Sequence, residues 1–430
     1  MDYAQTLEYL YTSLPEFQQI GFGAYKPGLD RARALDEACG CPHRHYRTVH
    51  VAGTNGKGSV AHMTAALLQG AGYKTGLFTS PHIKDFRERI RVNGVPIPED
   101  RVTAFVERFR PLFDRLHPSF FEMTSAMAFE YFAEEGVDFA VIETGLGGRL
   151  DSTNIIRPVL SVITNIGLDH TALLGDTKPQ IAAEKAGIIK PGTPVVIGES
   201  DPETDAVFLQ AAEKNGASIR FADKEATVVR QRITGHGRQH FVLRTSGDKP
   251  EYLSLTIDLQ GRYQRKNIIT VWSVLQTLRS LHIDIPETGV RTALRRAAES
   301  TGLAGRWQVL ARHPYTVCDI AHNAHGFAWI AEQLRRTRCR RLHMVFGMVS
   351  DKDVDSVLKL LPEKAIYYFT AADIPRAMPA AELQQRASAC GLSGNVWPSV
   401  AEAVAAARAA ATPDDMIYIG GSTFVVAEAV

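Results

Sequence analysis

Gly53-Thr54-Asn55-Gly56-Lys57-Gly58-Ser59 packs three glycines, a lysine and two hydroxyls into seven residues. Glycines let backbone N–H groups turn inward around phosphate oxygens, a helix that starts there adds the positive end of its dipole, and a lysine supplies a mobile charge. The pattern is not the standard GxxxxGK[ST] loop, because position 51 is Val and Gly58 separates Lys57 from Ser59. The plain alternative is a glycine-rich turn with a solvated lysine, and the strand-to-helix setting favours a nucleotide-phosphate loop. A second set of residues follows apolar β-branched runs: Ser80, Glu143 and His170. A hydroxyl, a carboxylate and an imidazole do not make a structural zinc site, which favours cysteine. They suit a hard cation such as Mg²⁺ that shares its shell with phosphates and water, although histidine is an unusual ligand for it. Taken singly, each is more often a strand-end hydrogen-bonding group.

Three further clusters have bland readings. Lys185 in Ala183-Glu-Lys-Ala-Gly187 reads as a solvated helix lysine. Cys39-Gly-Cys41-Pro-His43-Arg-His45 fits no familiar zinc spacing and reads as a polar loop ahead of the first core strand. Asp319-Ile-Ala-His322-Asn323 reads as a strand end whose Asp or Asn caps the next helix.

The elements that must position these residues alternate. Strands are expected at 46–52, 74–79, 137–143, 158–165 and 194–198, with helices at 60–70, 121–135 and 179–187 between them. Such alternation implies right-handed crossovers and a mainly parallel sheet covered on both faces, with ligands gathered at the carboxyl ends of its strands. From 218 to 258 short alternating runs without helices suggest a small antiparallel patch. Helices at 263–281 and 287–298 and a linker at 299–302 follow. The α/β rhythm then restarts, with strands at 315–320, 341–346, 365–370 and 416–419 and helices at 325–336, 354–361 and 400–411.

A chain of 430 residues is too long for one ordinary domain at roughly 100–200 residues each. Its 45% apolar and 22% charged residues are those of a soluble globular protein, and a formal charge of +1 gives no global field for nucleic acid or acidic lipid. No stretch approaches the roughly 20 apolar residues of a membrane span, and the start lacks the pattern of a signal peptide. Five scattered cysteines point to a reduced, cytoplasmic protein.

Ten segments in order carry a resemblance: 53–59, Thr79-Ser-Pro-His82, 86–90 (FRERI), 121–124 (FEMT), 143–154 (ETGLGGRLDSTN), 163–170 (ITNIGLDH), 184–188 (EKAGI), Gly305-Arg-Trp-Gln308, 319–323 (DIAHN) and 347–353 (GMVSDKD). With them the chain resembles the bacterial folylpolyglutamate synthase family, specifically its bifunctional dihydrofolate synthase members, within the Mur-ligase-like superfamily. Ile83 and Ala324 depart from the family's usual Leu and Pro. The resemblance implies an α/β fold: a P-loop-type, mainly parallel ATP-binding domain over 1–299 with the antiparallel patch, and a smaller Rossmann-like glutamate-ligase domain over 300–430.

It also implies roles. Thr54, Asn55, Gly56, Lys57, Gly58 and Ser59 bind ATP phosphates, and Asn267, Arg306 and Asp319 complete the ATP site. Ser80, Glu143 and His170 ligate Mg²⁺, with two ions expected, and Lys185 is carried as an N-carboxylated side chain at the metal site. Lys57, Lys185 and His322 are the catalytic candidates. Phe121, Glu122, Met123 and Thr124, with Leu150, Asp151 and Ser152, match the pterin-binding segments, Asp151 being suited to fork two donors of a pterin edge. The implied activity joins L-glutamate to dihydropteroate and further glutamates to reduced folates in a monomer with small-molecule partners. Closure of two domains would keep water from an acyl phosphate. A cell-wall Mur ligase is a rival, set back by a phosphate loop that begins at Gly53 with no room for a preceding UDP-binding domain. A nucleotide switch that ligates nothing is the rival of another class.

Overall fold

The computed structural model describes residues 1–13, 28–234 and 237–430, so residues 235–236 of the antiparallel patch lie outside the described residues. The chain forms two compact units: Met1–Asp258 with Gln264–Leu303, and Leu259–Tyr263 with Ala304–Val430.

The first unit is built on β1 (Arg47–Ala52), β2 (Thr75–Phe78), β3 (Ile90–Val92), β4 (Val95–Pro96), β5 (Phe139–Glu143), β6 (Leu160–Ile163), β7 (Val195–Ile197) and β8 (Ile219–Phe221). They form one sheet in the order β4-β3-β2-β5-β1-β6-β7-β8, parallel from β2 through β8, with β3 and β4 antiparallel at one edge. All residues of β5 and β6 and all but the first of β1 are buried, which is why these runs read as continuous apolar strands rather than alternating ones. β1 sits between β5 and β6, while its helix Lys57–Gly70 crosses the sheet; that helix is buried on nearly all sides, with Val60, Met63, Leu67 and Leu68 fully enclosed. Each such side chain contributes roughly 1.5–3 kcal/mol, so the loop before the helix rests on a rigid base.

Two expectations need correction here. Residues 219–221 belong to the large parallel sheet as its last strand, and the antiparallel patch begins only with β9 (Ala226–Ile233), β10 (Gln239–Thr245) and β11 (Tyr252–Ile257). A three-residue strand followed at once by the helical turn Ala222–Glu225 carries too little pattern to be told from its neighbours. The expected linker at 299–302 is largely helical: Ala297–Thr301 is a short helix, its first N–H groups held by the Asp258 carboxylate, and it belongs to the first unit.

The second unit carries a six-stranded sheet of β12 (Gln308–Arg312), β13 (Tyr315–Asp319), β14 (Leu342–Phe346), β15 (Ile366–Phe369), β16 (Gly394–Val396) and β17 (Met416–Gly420). Its order is β12-β13-β17-β14-β15-β16, parallel except for the β12–β13 edge pair. The observed α/β class with two sheet-based units agrees with the expected fold.

Candidate active site

Four neighbouring strands, β2, β5, β1 and β6, end at one edge of the large sheet in near register: Phe78 lies beside Ile142, Val51 beside Glu143 and Ala52 beside Ile163. Their carboxyl ends deliver Ser80, Glu143, the 53–59 loop and the 164–170 segment to one place, where parallel sheets collect ligands.

The glycine loop is laced to the segment after β6. Thr54 N–H donates to the Asn165 carbonyl (3.0 Å), Asn55 N–H to Asn165 Oδ1 (2.9 Å), and Thr164 Oγ1 to the Asn55 carbonyl (2.6 Å). Thr54 Oγ1 donates to the Gly167 carbonyl at 3.1 Å and lies 3.0 Å from its N–H. Gly56 is left-handed at φ 82°, and a Cβ there would collide with Asn267 Oδ1. Asn267 in turn donates to Gln264, whose amide reaches Ser59 Oγ (3.2 Å). Asn267 thus braces the loop from behind. The helix starts at Lys57, three residues earlier than the apolar pattern indicates, so Lys57, Gly58 and Ser59 form its first turn and their N–H groups lie at its positive end. Lys57 Nζ donates to the Thr54 carbonyl (3.3 Å) and stands 4.0 Å from Glu143 Oε1.

Glu143 is 2% exposed, and its Oε2 accepts from the Ser80 N–H at 3.2 Å. Ser80, Glu143 and Lys57 are therefore brought together. His170, left-handed at φ 52°, occupies the position before the short helix Thr171–Leu174, with Nε2 3.8 Å from Asp169 Oδ1. Among the described residues no three or more His, Cys, Asp or Glu side chains form a ready-made metal cage. A buried carboxylate beside Ser80 and a phosphate loop fits a divalent cation that takes the rest of its shell from phosphate and water, whereas the His170 imidazole approaches Asp169. The 39–45 cluster makes no such site: it joins a helix end to the turn Pro42–Arg44, and His43 Nδ1 meets Asp36 Oδ1 at 2.7 Å.

Lys185 overturns its sequence reading. It is 4% exposed, and burial, then the facing Lys57 ammonium, lower its pKa to about 7; Asp169, Asp151 and Glu184 oppose the shift. The Gly-rich turn after Glu143 explains its enclosure. A Cβ on Gly148 would come within 2.8–3.0 Å of the Glu184 and Lys185 backbone, so only glycine lets this turn lie on the helix Lys178–Ala186. Arg149 N–H donates to the Glu184 carbonyl (2.7 Å), and Asn154 Nδ2 to those of Arg149 and Gly187 (both 3.0 Å).

The two segments expected to hold a pterin are adjacent, joined by Ser125 Oγ and Ser152 Oγ at 3.0 Å. They do not present all their side chains. Met123 and Thr124 are fully enclosed, and Glu122 is spent on a capping box with Ser119 and on Arg31 Nε at 3.1 Å. Phe121, stacked under Gly145, and Leu150 are half-buried. Both oxygens of Asp151 are occupied: Oδ2 by the Leu146 N–H (2.8 Å), Oδ1 by the Thr153 N–H (3.0 Å) and hydroxyl. Burial raises its pKa against these bonds. The Thr153 hydroxyl, having given its proton to Asp151, accepts from His50 Nε2–H at 2.9 Å; burial, then Lys190, pushes the His50 pKa down to about 3, so this imidazole is neutral. A free fork on Asp151 is not open in this arrangement; its carboxylate fixes the turn that covers Lys185.

In the second unit Asp319 is 2% exposed and accepts from Trp307 N–H (2.8 Å), Tyr263 Oη–H (2.7 Å) and Ala321 N–H (2.8 Å). It anchors the left-handed turn at Trp307 and thereby holds the adjacent, half-buried Arg306 in place. Burial raises the Asp319 pKa, opposed by Tyr263 and Arg306. Asn323, rather than Asp319, caps the next helix, accepting from Gly326 N–H (2.8 Å). His322 Nδ1 lies 3.1 Å from the Ile320 carbonyl. Sequence reasoning passed over Thr164, Asn165, Gln264 and Asp169. Three of them sit in the 163–170 run, whose polar pairs Thr164-Asn165 and Asp169-His170 after a buried strand are the available signal.

Residues 51–275 match the family described as Mur ligase middle domain, and residues 305–423 match Mur ligase, glutamate ligase domain. A dihydrofolate synthase/folylpolyglutamate synthase of Bacillus subtilis is 38% identical over 389 residues, 88% of each chain. The chain belongs to the dihydrofolate synthase/folylpolyglutamate synthase family. Solved structures agree. Escherichia coli FolC in complex with DHPP and ADP superposes with a TM-score of 0.85 at 29% identity, covering 100% of this chain and 97% of that one. The bifunctional enzyme of Yersinia pestis complexed with AMPPNP and Mn ion gives 0.84 at 27%, covering 100% and 97%.

Proposed function

We infer that the protein is an ATP-dependent amide ligase that adds L-glutamate to dihydropteroate, making dihydrofolate, and adds further glutamates to reduced folates. The observation that carries this reading is the meeting of a phosphate loop, a lysine and a buried carboxylate at one edge of a family-matched sheet. The relatives whose structures name ADP with DHPP, and AMPPNP with Mn, support ATP and a divalent metal as the co-substrate and cofactor.

A carboxylate resists attack by an amine because it is anionic and lacks a leaving group. Its oxygen attacks the γ-phosphorus of ATP in line, breaking the bond to the β–γ bridging oxygen and giving an acyl phosphate and ADP. The loop amides and Lys57 stabilise charge on the transferring group. The neutral amine of glutamate then attacks the acyl carbon, and the tetrahedral intermediate expels phosphate and loses a proton to leave an amide. Ser80, Glu143 and His170 would hold Mg²⁺, two ions in all with Lys185, and the metal supplies charge neutralisation at the phosphates. Lys185 is read as a carbamate: its amine takes up CO₂ and releases a proton, which removes a buried cation facing Lys57. Asn267, Arg306 and Asp319 bind or orient ATP, and His322 is kept as a catalytic candidate. Phe121 and Leu150 line the pterin pocket, with Glu122, Met123, Thr124, Asp151 and Ser152 shaping it from behind. The reading is of a monomeric cytoplasmic enzyme with no nucleic-acid or membrane partner; among the described residues no helix is long and apolar enough to cross a membrane.

Dihydropteroate labelled with ¹⁸O in its carboxylate tests the mechanism. One labelled oxygen is expected in the released phosphate. Unlabelled phosphate with amide formed would exclude an acyl phosphate.

A further inference from the structure

The strands β9, β10 and β11 contain no Asp or Glu, yet their outer face carries Arg230, Arg232 and Arg244. Phe241, Leu243, Leu255 and Ile257 point inward and are buried. Alternation therefore places His240, Val242 and Arg244 on the other face, and the register sets Arg232 opposite His240 and Arg230 opposite Val242. Ser254, Thr256 and Tyr252 complete that face on β11. The three arginines are exposed, and among the described residues none forms an ion pair. Arg230 and Arg232 stand two residues apart on one face with no carboxylate in the three strands, so an anionic occupant would offset their mutual repulsion. Consistently, burial and then Arg232 and Arg230 hold the His240 pKa below its ordinary value.

We propose that this face binds the anionic γ-glutamyl tail of the folate substrate, a proposal that rests on the ligase reading above. Spacing supports the match. Arg230 and Arg232 are two residues apart on one strand, about 6.7 Å. A γ-linked glutamate has five chain bonds per repeat instead of three and spans about 6 Å, so successive tail carboxylates meet successive guanidiniums. Position supports it too. Glu225 Oε2 accepts from Ser273 Oγ, midway along the helix Gln264–Ser280, and the Val228 carbonyl accepts from Arg265 in its first turn. That turn also holds Gln264 and Asn267, which brace the phosphate loop. Arg230 and Arg232 continue about 7 and 14 Å beyond Val228, past this end of the helix. A single-stranded nucleic acid would find only Tyr252 to stack on and little attraction from a protein of net charge +1.

The test compares the full-length protein with the double variant Arg230→Gln, Arg232→Gln, after equal melting temperatures are established. KM for a reduced folate bearing five glutamates should rise about three- to tenfold, with kcat and the KM for dihydropteroate unchanged and the difference shrinking as salt is raised. Direct titration with a penta-γ-glutamate peptide, which needs no ligation, should show the same loss of affinity. Equal KM changes for short and long substrates, or none, would overturn the proposal. So would an RNA oligomer that loses binding in the variant while the pentaglutamate KM stays fixed. Absence of dihydropteroate ligation in the unmodified protein would count against the ligase reading, whereas the peptide titration judges the tail site separately.

Discussion

Lys57 occupies the first position of its helix, with Nζ between the Thr54 carbonyl and the Glu143 carboxylate. Lys57→Ala removes few packing contacts and one charge aimed at the transferring phosphoryl group. Turnover should fall about 100-fold or more with melting temperature nearly unchanged, as steady-state kinetics and calorimetry would read; near-normal ligation would remove Lys57 from the mechanism. Lys185 was legible as a helix lysine and not as an enclosed one, because helical spacing does not reveal that the turn at Gly148 lies across it. With a pKa of about 7, its amine is mostly neutral above pH 7 and able to capture CO₂, and is protonated and inert below. Enzyme stripped of CO₂ should therefore regain activity with bicarbonate more completely at pH 8 than at pH 6. Lys185→Ala should be nearly inactive and partly rescued by a short-chain carboxylic acid. Normal activity in that variant, with a bare lysine by mass in the unmodified protein, would refute the carbamate. Asp151 read as a possible fork for a pterin, but the Leu146 and Thr153 donors occupy it. Asp151→Ala should lower stability by about 1–3 kcal/mol and reduce both ligations together; loss confined to dihydropteroate ligation would restore a direct contact.

The strands that carry the site were readable as apolar runs because they are buried on both faces, and the glycine loop was readable because its residue types are rare together. The edge strands β3 and β4 and the three-residue β8 were not, since short edge segments lack pattern; the helix Glu99–Leu116 went unread despite Val102, Phe105, Val106, Phe109 and Phe113 at helical spacing. That Ser80 and Glu143 meet was implied by the family resemblance but not by their spacing, since it follows from β2 pairing with β5, a choice of strand order. Because the end of β5 fixes Glu143 beside the Ser80 backbone, Glu143→Ala should shift the Mg²⁺ titration to higher concentration and lower activity at saturation. An unchanged Mg²⁺ titration would make Glu143 a strand-end cap and nothing more.

Across the whole chain, composition and length indicated two domains, and the family motifs spread through both. What escaped was the excursion of Leu259–Tyr263 into the second unit, where the Tyr263 hydroxyl holds Asp319. A five-residue crossing of this kind leaves no mark in composition, and it moves the return of the chain to Ala304 rather than 300. The central claim is one reaction, ligation driven by ATP, with the same catalytic groups acting on two acceptors. Its most direct test is ADP release by the purified protein with Mg²⁺, followed with and without L-glutamate, in the presence of dihydropteroate or of a reduced folate. Sustained ADP release should require glutamate and one of the two acceptors together, matched mole for mole by new amide. An acceptor alone should yield at most about one ADP per enzyme, from acyl phosphate. Sustained ADP release without any acceptor and without amide would describe a nucleotide switch and contradict the account.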